Sequence, residues 1–389
     1  MEAVMGLSRR AFVRILGSTA VFAAATGVGL SQCDRMPAVA VEAWNGPATG
    51  ETEPRRRALS YALLAPNPHN RQSWIADLRT PGEIALYVDT ARMLPMTDPF
   101  GRQILIGCGC FLETLVLAAS SEGWAAETTL LPDGFDETDA GAKPFARIRF
   151  SSVPKADPDG LAAAILQRRS AKVTYAAGRA LDAGHESGLR AVHRDADVAL
   201  TITSDAGMVA ALRAIALEAF RIEVDTDRTY RESVELMRIG AEEIARHRDG
   251  LELHGPFYWW LKQFGLLSVE EQMRRGSTAR ETARTFLDAD AASTATFAWI
   301  ATAGNAREAQ LRAGRAYVRL NLACTRLGVA MAPWSQVLQE YPEMAATQSG
   351  FLKTVGAAPS ETVQMFFRLG YAAAPEPTPR RALDDIVRA

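Results

Sequence analysis

Apolar and polar positions alternate over 83–88 and 145–150, which predicts two short half-buried strands; 198–203 and 363–371 read as two more. Between them the period changes. Residues 102–124 form a long apolar helix with a stop at Gly123, and 309–327 a second long helix ended by Gly328. Shorter helices are predicted over 55–64, where Pro66 and Pro68 stop the run, and over 161–167, 182–192 and 208–224. The stretch 225–300 is charged, helical and irregular, and carries the aromatic knot Pro256-Phe257-Tyr258-Trp259-Trp260. Residues 46–54 read as a polar linker, and 151–160, with two prolines and a glycine, as the main boundary. Each side of it holds one long helix rich in small residues near a few strands. That is an α+β class with an internal duplication of architecture and little identity between the copies.

The first 40 residues have a different pattern. Ser8-Arg9-Arg10-Ala11-Phe12 precedes an apolar run over 15–30, too short to span a bilayer core as a helix. A basic start, a short apolar core and a polar exit predict a signal peptide, and the arginine pair resembles the twin-arginine export signal, so the twin-arginine translocase is an expected partner and the periplasm or cell envelope the expected location. Ala38-Val39-Ala40 offers a small-x-small cleavage site, while Leu30-Ser31-Gln32-Cys33 resembles a lipidation box with Gln32 where a small residue belongs. The domain division is therefore 1–40 signal, 41–155 first half, and 156–389 second half, with an insertion over about 225–300.

Composition adds exclusions. The chain has 389 residues, 48% hydrophobic and 23% charged, with 43 basic against 45 acidic side chains. This is the composition of a globular protein, and a net charge of −2 supplies no general field for nucleic acid. Four cysteines are too few for a disulfide framework, no Cys/His spacing suggests zinc, and Cys108 and Cys110 on an apolar helix read as buried structural residues.

Three clusters can carry chemistry: Ala65-Pro66-Asn67-Pro68-His69-Asn70-Arg71-Gln72-Ser73-Trp74, Arg168-Arg169-Ser170-Ala171-Lys172, and Pro379-Arg380-Arg381. Singly they read as a loop, a solvated face and a polar tail. Together they supply guanidinium forks and a hydroxyl for a phosphate, and amides for a heteroaromatic ring.

At these residues the chain resembles the flavin-dependent nitroreductase family. Arg168-Arg169-Ser170-Ala171-Lys172 is similar to the family's Arg-Arg-Ser-x-Arg/Lys flavin motif. The 65–74 segment is similar to its Ala-Pro-Ser-x-x-Asn-x-Gln-Pro-Trp loop, with Asn67 for Ser and Ser73 for Pro. Leu369-Gly370-Tyr371 and Pro379-Arg380-Arg381 resemble its closing strand and phosphate-binding tail. Asp98-Pro99-Phe100-Gly101-Arg102, Gly304-Asn305 and Ala313-Gly314-Arg315 resemble the doubled, Acg-like branch. The resemblance implies a nitroreductase-like α+β fold of two fused halves, a monomer acting as a pseudo-dimer. The second half has only His193-Arg194-Asp195-Ala196-Asp197 where a second loop would stand, so one FMN per chain is expected.

The resemblance also assigns roles. Arg168, Arg169 and Ser170 would hold the FMN phosphate, with Arg380 or Arg381 closing it. Lys172 would stand at the pyrimidine edge of the ring, Pro66, Asn67 and Asn70 would line it, and Gly304 would offer a backbone N–H. No side-chain catalyst is required, because the cofactor carries the redox step. His69 reads as a loop histidine held by hydrogen bonds. Tyr258-Trp259-Trp260 reads either as a core anchor on a surface helix or as a lid over the flavin, and the length of the insertion favours the lid. The implied activity is electron transfer through one flavin to a nitroaromatic, quinone or similar small acceptor, from a nicotinamide, quinol or protein donor. The rival reading is an exported flavin-sequestering protein without turnover.

Overall fold

The computed structural model describes residues 34–388; the arginine pair, the apolar run and Cys33 lie outside the described residues. Helix α1 (Pro54–Ala62) begins with Pro54 in the first turn, and the Glu53 carboxylate accepts the Arg56 N–H at 2.8 Å. Strands β1 (Trp74–Asp77) and β2 (Glu83–Val88) lead to α2 (Arg102–Glu122), closed by Gly123 at φ 94. Strands β3 (Trp124–Leu130) and β4 (Ala146–Ser152) complete the first half.

In the second half come α3 (Ala183–Val192), β5 (Val198–Thr203), α4 (Ala206–Asp225) and α5 (Asp227–Glu235). A two-stranded parallel ribbon, β6 (Met237–Ile239) with β7 (Leu251–Leu253), and several short helices fill the stretch to Ser293. Strand β8 (Thr296–Ala303), α6 (Arg307–Leu327), β9 (Ala330–Pro333) and β10 (Glu361–Gly370) follow.

Two sheets result. One is ordered β5-β8-β10-β9, all antiparallel neighbours. The other is ordered β11-β1-β2-β4-β3, where β11 (Val387–Arg388) comes from the far end of the chain and lies parallel to β1. The C-terminal segment thus crosses back onto the first half.

Helices α2 and α6 cross at the centre, and glycine is what allows it. A Cβ on Gly109 would lie 2.1 Å from the Leu311 carbonyl oxygen, and one on Gly314 would lie 2.0 Å from that of Ile106. Each is the eighth residue of its 21-residue helix, so the two backbones touch at equivalent positions. One continuous apolar core, including Trp74, Phe111, Tyr317 and Phe367, runs through this crossing into both halves. A second core, with Phe297, Trp334, Phe351 and Phe366, packs α4 against the β5-β8-β10-β9 sheet. Burial in the first core explains α2, which is apolar and long enough to cross a membrane by composition.

The structure corrects two expectations and bears on a third. Residues 296–300, read as the end of the insertion, are the start of the buried strand β8. The predicted helix over 161–167 is a 3₁₀ segment, Ala162–Gln167. The expected processing segment is part of the folded body. Ala38–Val41 is a turn of helix with Ala40 fully buried, and the Ala40 carbonyl accepts the Arg380 N–H at 2.8 Å. Just upstream, Asp34 accepts the N–H groups of Ala241 and Gly255.

Candidate functional site

The loop after α1 is bent by three non-glycine residues in the left-handed region: His69 at φ 47, Asn70 at φ 50 and Gln72 at φ 52. Such backbone costs of order 1–3 kcal/mol per residue and persists only where other contacts fix it. The fixing contacts are visible. Asn67 Oδ1 accepts the Gln72 N–H at 2.7 Å and its Nδ2 donates to the Ala65 carbonyl, so this side chain is spent on the loop itself. Gly107 of α2 lets Asn67 and Pro68 lie against the helix, since a Cβ there would stand 3.1 Å from Pro68 Cδ. Pro66 is buried beneath the loop.

From the other half, the turn after Gln167 brings Arg168 to the same place. Arg168 is buried and donates from Nη2 to the Leu64 carbonyl and from Nη1 to Asn321 Oδ1, both at 2.8 Å. Asn321, a buried polar residue of α6, also donates to the Arg169 carbonyl. The C-terminal tail then delivers Arg380. Its Nη1 donates to Asn70 Oδ1 at 3.0 Å, and its Nη2 shares the Leu64 carbonyl with Arg168. Asn70 Nδ2 in turn donates to the Pro379 carbonyl. Three segments far apart in sequence therefore meet at one point.

Trp44 completes the cluster, and no motif pointed to it. Its ring centroid lies 4.1 Å from the Arg169 guanidinium carbon, 5.1 Å from that of Arg380 and 5.6 Å from that of Arg168. The indole N–H donates to the Thr378 carbonyl at 2.8 Å. Among the described residues, no carboxylate lies within ion-pair distance of any of the three arginines. The Nε atoms of Arg168, Arg169 and Arg380 are buried and without a partner. Burial pulls Arg380 down to about 9 and Arg168 to about 10; repulsion among the arginines adds to the loss, and the Glu252 carboxylate, outside ion-pair distance, offsets only part of it at Arg380. Buried cations left without an anion are costly. The donor set, two forked guanidiniums with a third beside them and Ser170 Oγ 3.4 Å from Arg168 Nη1, fits a phosphate dianion.

The remaining expected residues divide. Lys172 is exposed, and its charge bears on His69, Glu223 and Glu252 from the adjoining side. Arg381 turns away: its backbone N–H bonds Gln72 Oε1, and its guanidinium lies 3.3 Å from Asp89, which neutralises it. The tail thus brings one arginine to the cluster, not two. Gly304 is elsewhere. It follows the Ala303 end of β8, where its N–H is taken by the Ser360 carbonyl, whereas Ala171 bonds Met331, which pairs with Leu369 at the opposite end of the sheet. Eight strand residues, roughly 26 Å, separate the two ends.

The insertion does lean on the loop, through residues other than the aromatic knot. Gly250 N–H bonds the Asn70 carbonyl, Gln72 Nε2 bonds the Arg248 carbonyl, and Ser233 Oγ meets His69 Nε2 at 3.1 Å. Asp249 gathers Arg71, Arg92 and Arg238. The aromatic knot forms a short helix, Pro256–Gln263, with none of its residues buried; Trp260 stacks on the exposed Phe264. Cys108 and Cys110 are buried and free, as expected, and burial pushes both thiols up.

A cavity of about 840 Å³ lies on the other side of the helix crossing. It is lined by residues 192–196, which follow α3 as the 65–73 loop follows α1. Its cations are already matched: Arg315 and Arg319 pair with Glu113 at 2.7 and 2.9 Å, and Arg312 with Asp195 at 2.7 Å. An anion gains little there, so the Arg168 cluster is the candidate site.

Burial holds His69 neutral, lowering it from 6.5 to about 4. The unfolded chain therefore binds this proton between about pH 6.5 and 4 while the folded one does not, so stability rises with pH across that window. A loss of about 3 kcal/mol from pH 7 to 4 is expected from this group, absent in His69→Gln, as read by urea unfolding at each pH.

No family model matches the chain. It is similar over most of its length to a protein of Mycobacterium tuberculosis named "Putative NAD(P)H nitroreductase acg", 26% identical over 359 residues, covering 86% of this chain and 95% of that one. A second nitroreductase so named from the same organism is 33% identical over 138 residues, 33% of this chain and 38% of the relative. Among solved structures, the FMN and NADPH-dependent nitroreductase NfnB of a Sphigopyxis strain aligns over 59% of this chain and 98% of its own, with 14% identity and a TM-score of 0.36. NfnB of Mycobacterium smegmatis, solved with NADPH, gives 17% identity, 59% and 99% coverage and a TM-score of 0.33. The chain is thus similar to nitroreductase-like proteins, and its nearly full-length likeness to acg spans both halves.

Proposed function

We propose that the chain is an FMN-dependent oxidoreductase with nitroreductase-like architecture, its two halves arranged as an intramolecular pseudo-dimer with one flavin site. The observation that carries this is the Trp44 cluster: three arginines from the second half and the tail, with unpartnered Nε atoms and, among the described residues, no carboxylate in ion-pair distance, beside the Asn70 loop of the first half. The matched positions of Gly109 and Gly314 support the pseudo-dimer. Arg168, Arg169 and Arg380 would hold the phosphate, Pro66 and the Asn70 loop would flank the ring, and Lys172 would stand near its edge. Bound there, FMN supplies two-electron redox chemistry between a donor and a small acceptor such as a nitroaromatic or a quinone. The names of the relatives point to NAD(P)H as donor. Export by the twin-arginine translocase rests on Arg9-Arg10 and the apolar run after them; the packing of 34–41 favours a folded body that starts by Asp34 over one that starts after Ala40.

Flavin extraction from the purified protein is expected to give one FMN per chain. Added back to stripped protein, FMN should raise the Tm by several degrees and riboflavin should not, since a ligand at a hundred times its Kd contributes about 2.7 kcal/mol and only FMN carries the phosphate. A protein that responds equally to both would refute the arginine assignment. Anaerobic bleaching by NADPH, NADH or a quinol, followed by reoxidation with a nitroaromatic, distinguishes an enzyme from a flavin store.

A further inference from the structure

Behind the loop runs a buried hydrogen-bonded chain that phosphate binding does not use. His69 Nε2 lies 3.1 Å from Ser233 Oγ, Ser233 Oγ donates to Glu223 Oε1 at 3.2 Å, and Gln339 Nε2 donates to Glu223 Oε2 at 3.0 Å. Ser233 and Glu223 are both buried. A serine hydroxyl has one proton, and here Glu223 takes it, so Ser233 must accept from His69. The imidazole proton is therefore on Nε2, and Nδ1 is left as a lone-pair acceptor. That Nδ1 is enclosed and has no partner. His69 directly precedes Asn70, which binds Arg380, and the Lys172 charge acts on both His69 and Glu223. The chain thus begins at the candidate site and ends on α4.

We propose that His69, Ser233 and Glu223 form a proton path that lets a hydroquinone-class donor reduce the site; this rests on the flavin reading above. A hydroquinone that becomes a quinone gives up two electrons and two protons. A bound flavin would take up both electrons and one proton. The second proton passes to His69 Nδ1, the Nε2 proton moves to Ser233 Oγ, and the serine proton moves to Glu223 Oε1, which ends neutral. A nicotinamide gives up a hydride alone and leaves such a path idle. Burial raises the proton affinity of Glu223, with Glu232 adding to it and Lys172, Ser233 and Gln339 opposing; Tyr341 also faces this carboxylate. Burial, Lys172 and Arg71 disfavour the imidazolium, so a proton taken at Nδ1 must be matched by loss of the Nε2 proton to Ser233 in the same step.

The test compares wild type, Glu223→Gln and His69→Gln as FMN-loaded protein, reduced anaerobically by duroquinol (tetramethylhydroquinone), by NADPH and by dithionite. The expected result is a fall of 100-fold or more in the duroquinol rate in both variants, with the dithionite and NADPH rates within threefold of wild type. Equal losses with all reductants, unchanged duroquinol rates, or a wild type that duroquinol does not reduce would each overturn the path. A wild type without FMN would overturn the flavin reading instead. The flavin-free wild type gives a second readout: nitrogen NMR of His69 is expected to show the Nε2–H tautomer, with a mixture in Glu223→Gln. A dominant Nδ1–H tautomer in wild type would overturn the proposal even if both variants fail to fold.

Discussion

Protein carrying Arg168→Ala and Arg380→Ala together is expected to purify colourless and to bind added FMN about 10²–10⁴-fold more weakly than wild type. Each charge-assisted hydrogen bond contributes about 1.5–3 kcal/mol, so losing one from each arginine costs about 3–6 kcal/mol of binding. The companion expectation concerns the flavin-free protein. Arg168, Arg169 and Arg380 crowd around one indole with no carboxylate paired to them among the described residues, so the double variant sheds repulsion as well as the hydrogen bonds to Leu64. Its flavin-free stability should therefore fall far less than its FMN affinity. Fluorescence titration with FMN and urea unfolding of stripped protein measure the two quantities separately. Full flavin content in the double variant would remove the site from this part of the molecule.

The second large effect is at the helix crossing. Gly109→Ala is expected to destabilise the protein by about 3 kcal/mol or more, because the new methyl meets a carbonyl oxygen and the rigid backbone of α6 cannot give way as a side chain would. Gly314→Ala should behave alike, its methyl facing the Ile106 carbonyl. Gly350→Ala is the control. That glycine lies in the helix Ala345–Thr354 with nothing within 4 Å of a new Cβ, so the change should stabilise by about 0.5–1 kcal/mol through helix propensity. Urea midpoints of the three variants decide the matter, and a neutral Gly109→Ala would mean that the helices are not in backbone contact.

The long helices were legible because each signal was local: an apolar run and a glycine stop fix Arg102–Glu122 and Arg307–Leu327 within a few residues. Strand β3 was missed because it starts at Trp124, directly after the helix stop, and its half-exposed face gives little alternation. Strand β8 was absorbed into the charged insertion since its neighbours on that side are short polar helices. In the candidate site, Arg168, Asn70 and Arg380 could be named from motifs. Trp44 could not, because what recruits it is the three-dimensional convergence of cations and no spacing encodes that. Arg381 looked equal to Arg380 in sequence; only the position of Asp89 separates them. Gly304 failed for the complementary reason, its N–H being committed to Ser360 at the far end of a strand.

The tail that supplies Arg380 has a bearing on how the protein matures. Trp44 and Thr378, bonded to each other, are 334 positions apart, and Ala40 is bonded to Arg380 itself. Chains emerge from the ribosome amino end first. The first half can collapse early, yet its Asn70 loop meets Arg380 only after 310 further residues have been made. If FMN is held there as proposed, its capture waits for Arg380, and a nascent chain that stops short of that residue lacks one of the three arginines of the cluster.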